Sequence, residues 1–197
     1  MSTFSPSQSK LNHSFSLSFG GQTLIQSNVT KFLEVHLDEH LTWKYHINFV
    51  CKQIAKSIGI LARTRFYLSC MTKLTLLYTL IYPCITYCNS TWSSMYVSNL
   101  NRIYYLQKWA VRAITNSEYR AHTAPLFSKL EILDIFQVNT LDTAKFMFRY
   151  HNNLLPPLFR NLFMTDSQVH RYDTRTASNY RVHSCHTNIK KFTIFKQ

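Results

Sequence analysis

The sequence predicts a mainly α protein: a thumb-like helical bundle with a small antiparallel β-hairpin or sheet near the N-terminus and irregular tails. Two long segments repeat apolar residues at spacings of three and four, which is the period of an amphipathic helix. Apolar residues make up 46% of the 197 residues, enough to build a core, and only 3 residues are Gly. Scarce Gly disfavours a loop-rich all-β fold and a glycine-built nucleotide site.

The N-terminal part divides into a disordered segment and a small sheet. Residues 1–16 are Ser-rich and aperiodic and are expected to be disordered. In residues 17–40, apolar and polar residues alternate before Gly20 and Gly21, which predicts a hairpin turn. Residues 29–37 are expected to add one further strand. A sheet of two or three strands is not stable alone, so a helix is expected to cover it.

Residues 41–165 are predicted to form the helical region. The expected helices run over residues 42–67, 71–82 with a continuation to 92, 98–114, 124–130, 134–151 and 156–163. Thr42, Ser69 and Asp134 are the expected N-caps, because their short side chains accept backbone N–H bonds. Pro83 is expected to kink or restart the second helix.

The last segment, residues 166–197, is expected to be a basic, irregular tail. The five Cys include no C-x-x-C pair, and no secretory leader is recognised, so reduced thiols in a nuclear or cytoplasmic protein are expected. The most apolar run, residues 74–88, is shorter than a bilayer span and is interpreted as a core helix. We therefore expect no membrane-spanning segment and no membrane partner.

Charge is the first indication of function. The chain has 22 Lys+Arg and 9 Asp+Glu, a formal net charge of +13. Such an excess favours a polyanionic partner, with nucleic acid first and an anionic membrane surface second. The alternative is an ordinary basic protein, or a piece of a larger and better balanced one.

Two helix stripes are the candidate nucleic-acid-binding residues, because phosphates require spaced cations and aromatic rings stack on bases. The first stripe belongs to the first predicted helix and the second, interleaved with Tyr104, Tyr105 and Trp109, to the third. In order they are Lys44, Lys52, Lys56 and Arg63, followed by Arg102, Lys108 and Arg112. The alternative for both stripes is a solvated helix face.

The sequence offers no catalytic residue and no metal site. Asp38 and Glu39 are the only adjacent acids, and neighbours in a strand point to opposite faces, so a charge at a helix N-terminus is the favoured interpretation. His183, Cys185 and His186 match no established zinc spacing and are interpreted as part of a polar tail. Phosphate-loop, dinucleotide, hydrolase and zincin motifs are absent from the sequence.

The segment FLEVHLDEHLTWKYHINFVCKQIAKSIGIL resembles the region that follows the catalytic palm in non-LTR retrotransposon reverse transcriptases of the LINE type, jockey-like. In that family it reads approximately K-F/Y-L-G-V-x-hydrophobic-D-x-x-L-x-W-x-x-H-I. The resemblance continues through LYTLIYPCITYCNSTW, LQKWAVRAITNS, YRAHTAPLFSKLEIL, FMFRYHNNLLPPLF and YDTRTASNYR. It therefore covers nearly the whole chain from about residue 20.

The resemblance implies a C-terminal fragment of an RNA-directed DNA polymerase. Phe32, Leu33 and Glu34 resemble the primer grip at the end of the palm, and the helices resemble the thumb and connection that hold the template–primer duplex. The aromatic-x-Asp-Asp catalytic motif of the family is absent from this sequence, so no activity and no cofactor are expected here. Mg²⁺ is expected only for the intact polymerase.

Glu34 departs from the family pattern, which has Gly at that position. Gly there indicates a positive φ or a close backbone approach, and a carboxylate beside a primer phosphate would repel it. Three hypotheses follow. The first is a duplex-holding remnant, the second is a non-functional or host-recruited basic helical interaction protein without a nucleic-acid role, and the third is an autonomous polymerase. The missing carboxylates argue against the third.

Overall fold

The computed structural model describes residues 18–23, 27–93, 96–169, 175 and 179–180. The strands are β1 (Ser18–Phe19), β2 (Gln22–Thr23), β3 (Val29–Phe32) and β4 (Val35–Asp38). The α-helices are α1 (Lys44–Thr64), α2 (Cys70–Leu76), α3 (Tyr82–Thr86), α4 (Asn89–Trp92), α5 (Val97–Thr115), α6 (Ala124–Lys129), α7 (Ile135–His151) and α8 (Asp166–Val169). The predicted mainly α fold with a small antiparallel β component is confirmed.

The strands form two separate two-stranded sheets rather than one. β1 pairs with β2 around Gly20 and Gly21, both at positive φ, so the predicted turn is confirmed. The segment predicted to be disordered, residues 1–16, lies outside the described residues, and so do residue 17 and residues 24–26 of the predicted hairpin.

The prediction of a single strand over residues 29–37 is wrong. β3 and β4 are the two arms of a second hairpin, in which Val29 is paired with Asp38 and Phe32 with Val35. Leu33 and Glu34 form the two-residue turn, with φ of 45° and 62°. A tight hairpin turn of this kind needs positive φ at both positions, which an apolar run without Gly or Asn does not indicate.

The start of α1 differs from the predicted cap at Thr42. Trp43 occupies the N-cap position with φ 62° and no side-chain capping bond. Asp38, which is buried, supplies the capping carboxylate from β4. Its oxygens accept hydrogen bonds from the Thr42 N–H, the Thr42 hydroxyl and the Trp43 N–H, each 2.9 Å long. The second hairpin is thereby fixed to the two residues that precede α1.

The core is formed where α1, α5 and the helical segment between them meet. The predicted apolar face of α1 is confirmed, with Ile47 and Ile54 fully buried. On α5 the buried face includes Gln107, whose Oε1 accepts a 2.8 Å bond from the Ile135 N–H at the start of α7. A buried amide bonded in this way satisfies the first turn of α7 and fixes its position against α5.

The segment from α2 to α4 is interrupted more often than predicted. Ser69 caps α2 through a bond from the Thr72 N–H, as predicted. The π-helical segment Leu77–Ile81 joins α2 to α3, which holds Pro83 in its first turn. Because Pro cannot donate to the preceding helical turn, the change of helix type at this position has a direct cause.

In the C-terminal part, the N-cap of α7 agrees with the prediction, but the predicted apolar face of α7 is only partly buried. Asp134 caps α7 in a capping box with Gln137, as predicted. Leu141 and Phe148 of the predicted apolar face are 40% and 65% exposed, because only the first turns of α7 enter the core. The helix expected over residues 156–163 is one 3₁₀ turn, Pro157–Phe159.

Candidate nucleic-acid interface

The outward face of α1 carries the first predicted stripe. At 100° per residue, Lys52, Lys56 and Arg63 lie within about 40° of one another, opposite the buried line. Lys44 is displaced from them by about 100°. All four side chains are exposed. Tyr45, which is 58% exposed, lies seven residues before Lys52 and therefore on the same face.

The outward face of α5 is aromatic as well as basic. Arg102 is exposed, and Tyr105 and Trp109 on the same side are 60% and 50% exposed. Tyr119, from the loop after α5, packs edge-on against Trp109 with ring centroids 5.7 Å apart. Two exposed aromatic rings of α5 and one of the following loop therefore lie beside an exposed cation of α5, as in surfaces that stack on nucleic-acid bases.

Two cations of the second stripe also have partners within the fold. The Arg112 guanidinium is half-buried and its Nε donates a 3.1 Å bond to the Ala121 carbonyl, which holds the loop that follows α5. The Lys108 ammonium lies 4.1 Å from the centre of the Tyr104 ring, a cation–π distance. These two residues are therefore less available to a ligand than Arg102.

The two helices that carry the stripes are neighbours in the fold. α1 packs chiefly against α5. The Lys73 ammonium bonds the residues that follow both helices, Arg65 and Asn116, so the C-terminal ends of α1 and α5 lie close together and the helices run in the same direction. Burial raises the pKa of the Cys51 thiol on α1, and the charge of the nearby Arg102 on α5 partly opposes that increase. Arg102 of α5 therefore lies within electrostatic reach of Cys51, the residue before Lys52 on α1.

Neither of the two helices contains an acidic residue. The four Lys/Arg of α1 and the three of α5 share the two helices with no Asp or Glu. Within the described residues, none of the seven forms an ion pair with a carboxylate. Charges of one sign without partners produce a positive potential along the helix pair.

The residues that resemble a primer grip lie at the tip of the second hairpin. Phe32 and Leu33 are 62% and 68% exposed. The Leu33 carbonyl accepts a 2.9 Å bond from the Tyr87 hydroxyl, so the tip is attached to the end of α3. Glu34 forms a solvent-exposed ion pair with Lys31 at 2.7 Å.

The Trp43 and His46 pair of the quoted motif faces inward. His46 is buried against Trp92, and its Nδ1 accepts a long 3.5 Å bond from the His36 N–H. Burial, together with the neighbouring His36 ring, lowers the pKa of His46 to about 4, so the imidazole is neutral at pH 7. Trp43 and His46 therefore pack at the joint between the second hairpin and α1 and are not exposed to a ligand.

The described residues do not fit a metal centre. No group of three or more His, Cys, Asp or Glu side chains converges among them. Asp38, the first member of the adjacent acid pair, is committed to the capping bonds before α1. The cluster of His183, Cys185 and His186 lies outside the described residues. Of the helices in the described part, none combines the length and apolarity of a membrane span.

Sequence reasoning missed Tyr45 and Tyr119 as members of the surface. The spacing of seven residues between Tyr45 and Lys52 is a usable helical signal, since seven residues complete about two turns. Tyr119 has no such signal, because its position depends on the loop that Arg112 holds.

Comparison with known proteins finds a similarity to a transposon polymerase. The chain is 29% identical over 133 residues, 66% of its length, to the probable RNA-directed DNA polymerase from transposon X-element of Drosophila melanogaster. The aligned part spans only 14% of that protein. No family model and no solved structure matches the chain. The similarity supports a relationship to the reverse transcriptases.

Proposed function

We propose that this chain is the duplex-holding part of a LINE-type, jockey-like reverse transcriptase, without polymerase activity of its own. In this proposal it binds the template–primer duplex through the outward faces of α1 and α5. The observation that carries the proposal is the set of seven Lys/Arg on two adjoining helices with no acid among them. The similarity to a transposon polymerase supports nucleic acid as the polyanion.

The arrangement suits a regular phosphate backbone. Lys52 and Lys56 are separated by about 6 Å along the helix axis, and Lys56 and Arg63 by about 10 Å, from a rise of 1.5 Å per residue. Flexible Lys and Arg side chains at such spacings contact successive phosphates without reading sequence. Tyr105 and Trp109 add ring surfaces for sugars and exposed bases. The expected binding is non-specific and salt-dependent.

The tip of the second hairpin is proposed to contact the primer strand. Its exposed Phe32 and Leu33 side chains offer an apolar surface beside the duplex, and the Tyr87 bond fixes their position. The ion pair with Lys31 reduces the repulsion that the Glu34 carboxylate exerts on a phosphate. This assignment rests on the family resemblance of the segment and on the exposure of its side chains.

Fluorescence anisotropy with a labelled RNA–DNA template–primer duplex tests the proposal. Lys52→Glu combined with Lys56→Glu is expected to weaken binding at least about 10-fold at low salt, since each reversal replaces an attraction by a repulsion. Lys129→Glu combined with Lys145→Glu is the matched control. It makes the same change of net charge at exposed positions of α6 and α7 and is expected to have less than about a third of that effect.

Equal losses in the two double variants would contradict the assignment of the surface. Undetectable binding of the unaltered chain at low ionic strength would favour the alternative, a basic helical interaction protein. Metal-dependent nucleotide incorporation by the purified chain would contradict the expected lack of polymerase activity.

A further inference from the structure

A cavity of about 390 Å³ lies at the C-terminal end of α7. Its wall includes three aromatic rings, one cation and two further polar side chains: Tyr150, Phe163, Tyr180, Arg160, His151 and Asn161. The volume falls within the range of small-ligand sites in proteins.

The aromatic part of the cavity is held in place by its own contacts. The Tyr150 hydroxyl accepts a 3.1 Å bond from the Phe163 N–H and lies 3.1 Å from the carbonyls of Arg160 and Phe163. The Tyr150 and Phe163 rings pack edge-on at 4.8 Å, and Tyr180 packs against both at 5.7 Å. All three rings remain half-buried, so part of their surface is open to a ligand.

The polar part of the cavity favours an anion. Arg160 is exposed and, within the described residues, has no carboxylate partner. Among the described residues no acid belongs to the wall, although Asp166 follows Thr165, which also lines the cavity; the Asp166 N–H donates to the Asn179 carbonyl. His151 and Asn161 add groups that hydrogen-bond, and the His151 Nδ1 lies 3.1 Å from the Tyr180 hydroxyl.

We propose that this cavity binds one unpaired nucleotide, with the base against the aromatic rings and its phosphate on the Arg160 guanidinium. Planar rings stack on any base, and a guanidinium binds phosphate oxygens with two parallel bonds. The inference deepens the proposed function, on which it rests, by naming a single-stranded segment next to the duplex as a second ligand.

The test compares two labelled ligands that share one duplex, one blunt and one with a short single-stranded overhang. The unaltered chain is expected to bind the overhang ligand about 5-fold more tightly, the lower end of the stacking contribution of one base. Arg160→Gln is expected to remove most of that difference and to leave the affinity for the blunt duplex within about 2-fold, since the duplex contacts lie on α1 and α5. Arg149→Gln is the matched control, because it removes one exposed cation of α7 that does not line the cavity.

The outcomes separate this inference from the proposed function. Equal affinity of the unaltered chain for both ligands would overturn the cavity assignment while leaving duplex binding intact. An equal loss in Arg149→Gln and Arg160→Gln would overturn it as well, since general attraction would then explain the effect. If neither duplex binds, binding of a mononucleotide 5′-phosphate to the chain is measured by saturation-transfer NMR. Contact with the rings that Arg160→Gln removes would support the cavity, and no contact would overturn it.

Discussion

Lys73 and the cations of the outward α1 face, such as Lys52, differ in what compensates their charge. Lys73 is only 1% exposed, and its ammonium donates to the Arg65 carbonyl at 3.1 Å and to the Asn116 Oδ1 at 2.9 Å. Arg65 and Asn116 follow the last residues of α1 and α5, where helix carbonyls present a partial negative charge. Lys52 is exposed and has no carboxylate partner in the part of the chain that the structure describes.

The difference shows that the cations behind the positive net charge are of two kinds. The inward cation joins two helix ends and is satisfied within the fold. The outward cations are satisfied only by solvent or by a ligand. Changes to inward polar groups should therefore alter the free energy of unfolding with little effect on affinity, and changes to outward cations should do the reverse.

The largest expected effect on stability comes from His46, an inward group. Its folded-state pKa is about 4 and its ordinary pKa is 6.5, so the unfolded chain binds the proton first as pH falls. The contribution of the neutral His46 to the free energy of unfolding is complete above about pH 6.5. It is lost as the pH falls from 6.5 to 4, and the total loss is about 3 kcal/mol. Urea unfolding at several pH values measures this loss.

His46→Phe is the comparison, because it keeps a ring against Trp92 and removes the titration. The free energy of unfolding of this variant is expected to depend less on pH between 6.5 and 4. An NMR titration of His46 in the unaltered chain provides a second measurement. Protonation of His46 near pH 6.5 in the folded chain would contradict its inward role.

Lys73→Met should have the next largest effect. The substitution keeps the length of the side chain but leaves the Arg65 carbonyl and the Asn116 amide oxygen without their donor, at a cost of about 2 kcal/mol. Lys129→Met on α6 is the exposed control and is expected to change stability by less than about 0.5 kcal/mol. Duplex affinity of the folded Lys73→Met chain should be unchanged, and a loss as large as that of an outward cation would break the comparison.

Glu34→Gly tests the tip of the second hairpin, where the expected change in the free energy of unfolding is smaller than for His46 or Lys73. Glu34 has φ 62°, a region that is strained for residues with a Cβ, and Gly removes that strain at the expense of the ion pair with Lys31. Glu34→Ala removes the same carboxylate and keeps the Cβ. Gly is expected to be more stable than Ala by about 1 kcal/mol in chemical denaturation. Equal stabilities would mean that the turn imposes no strain at this position.

Much of the fold could be predicted because it depends on local patterns. The spacing of apolar residues locates α1 and α5, and the caps at Ser69 and Asp134 follow from side chains that bond their own helix. The second hairpin could not be predicted, since Leu33 and Glu34 are ordinary residues forced into a turn by the pairing of β3 with β4. The burial of Lys73 depends on two helix ends that are distant in sequence.

The candidate surface could be predicted in part for the same reason. Helical periodicity is sufficient to place Lys52, Lys56 and Arg63 on one exposed face. The second stripe resists this reasoning, because Arg112 is engaged by a loop whose path is not encoded in the period of α5. Tertiary contacts therefore decide which cations of a basic helix remain available.

The salt dependence of duplex binding tests the outward surface most directly. Affinity of the unaltered chain for the RNA–DNA duplex is measured across ionic strength, beside Lys52→Gln combined with Lys56→Gln. If the exposed cations contact phosphates, the logarithm of affinity falls with the logarithm of salt with a slope of about −4, and the double variant reduces the magnitude of that slope by about 2. A slope near zero, or the same slope in both proteins, would contradict the account.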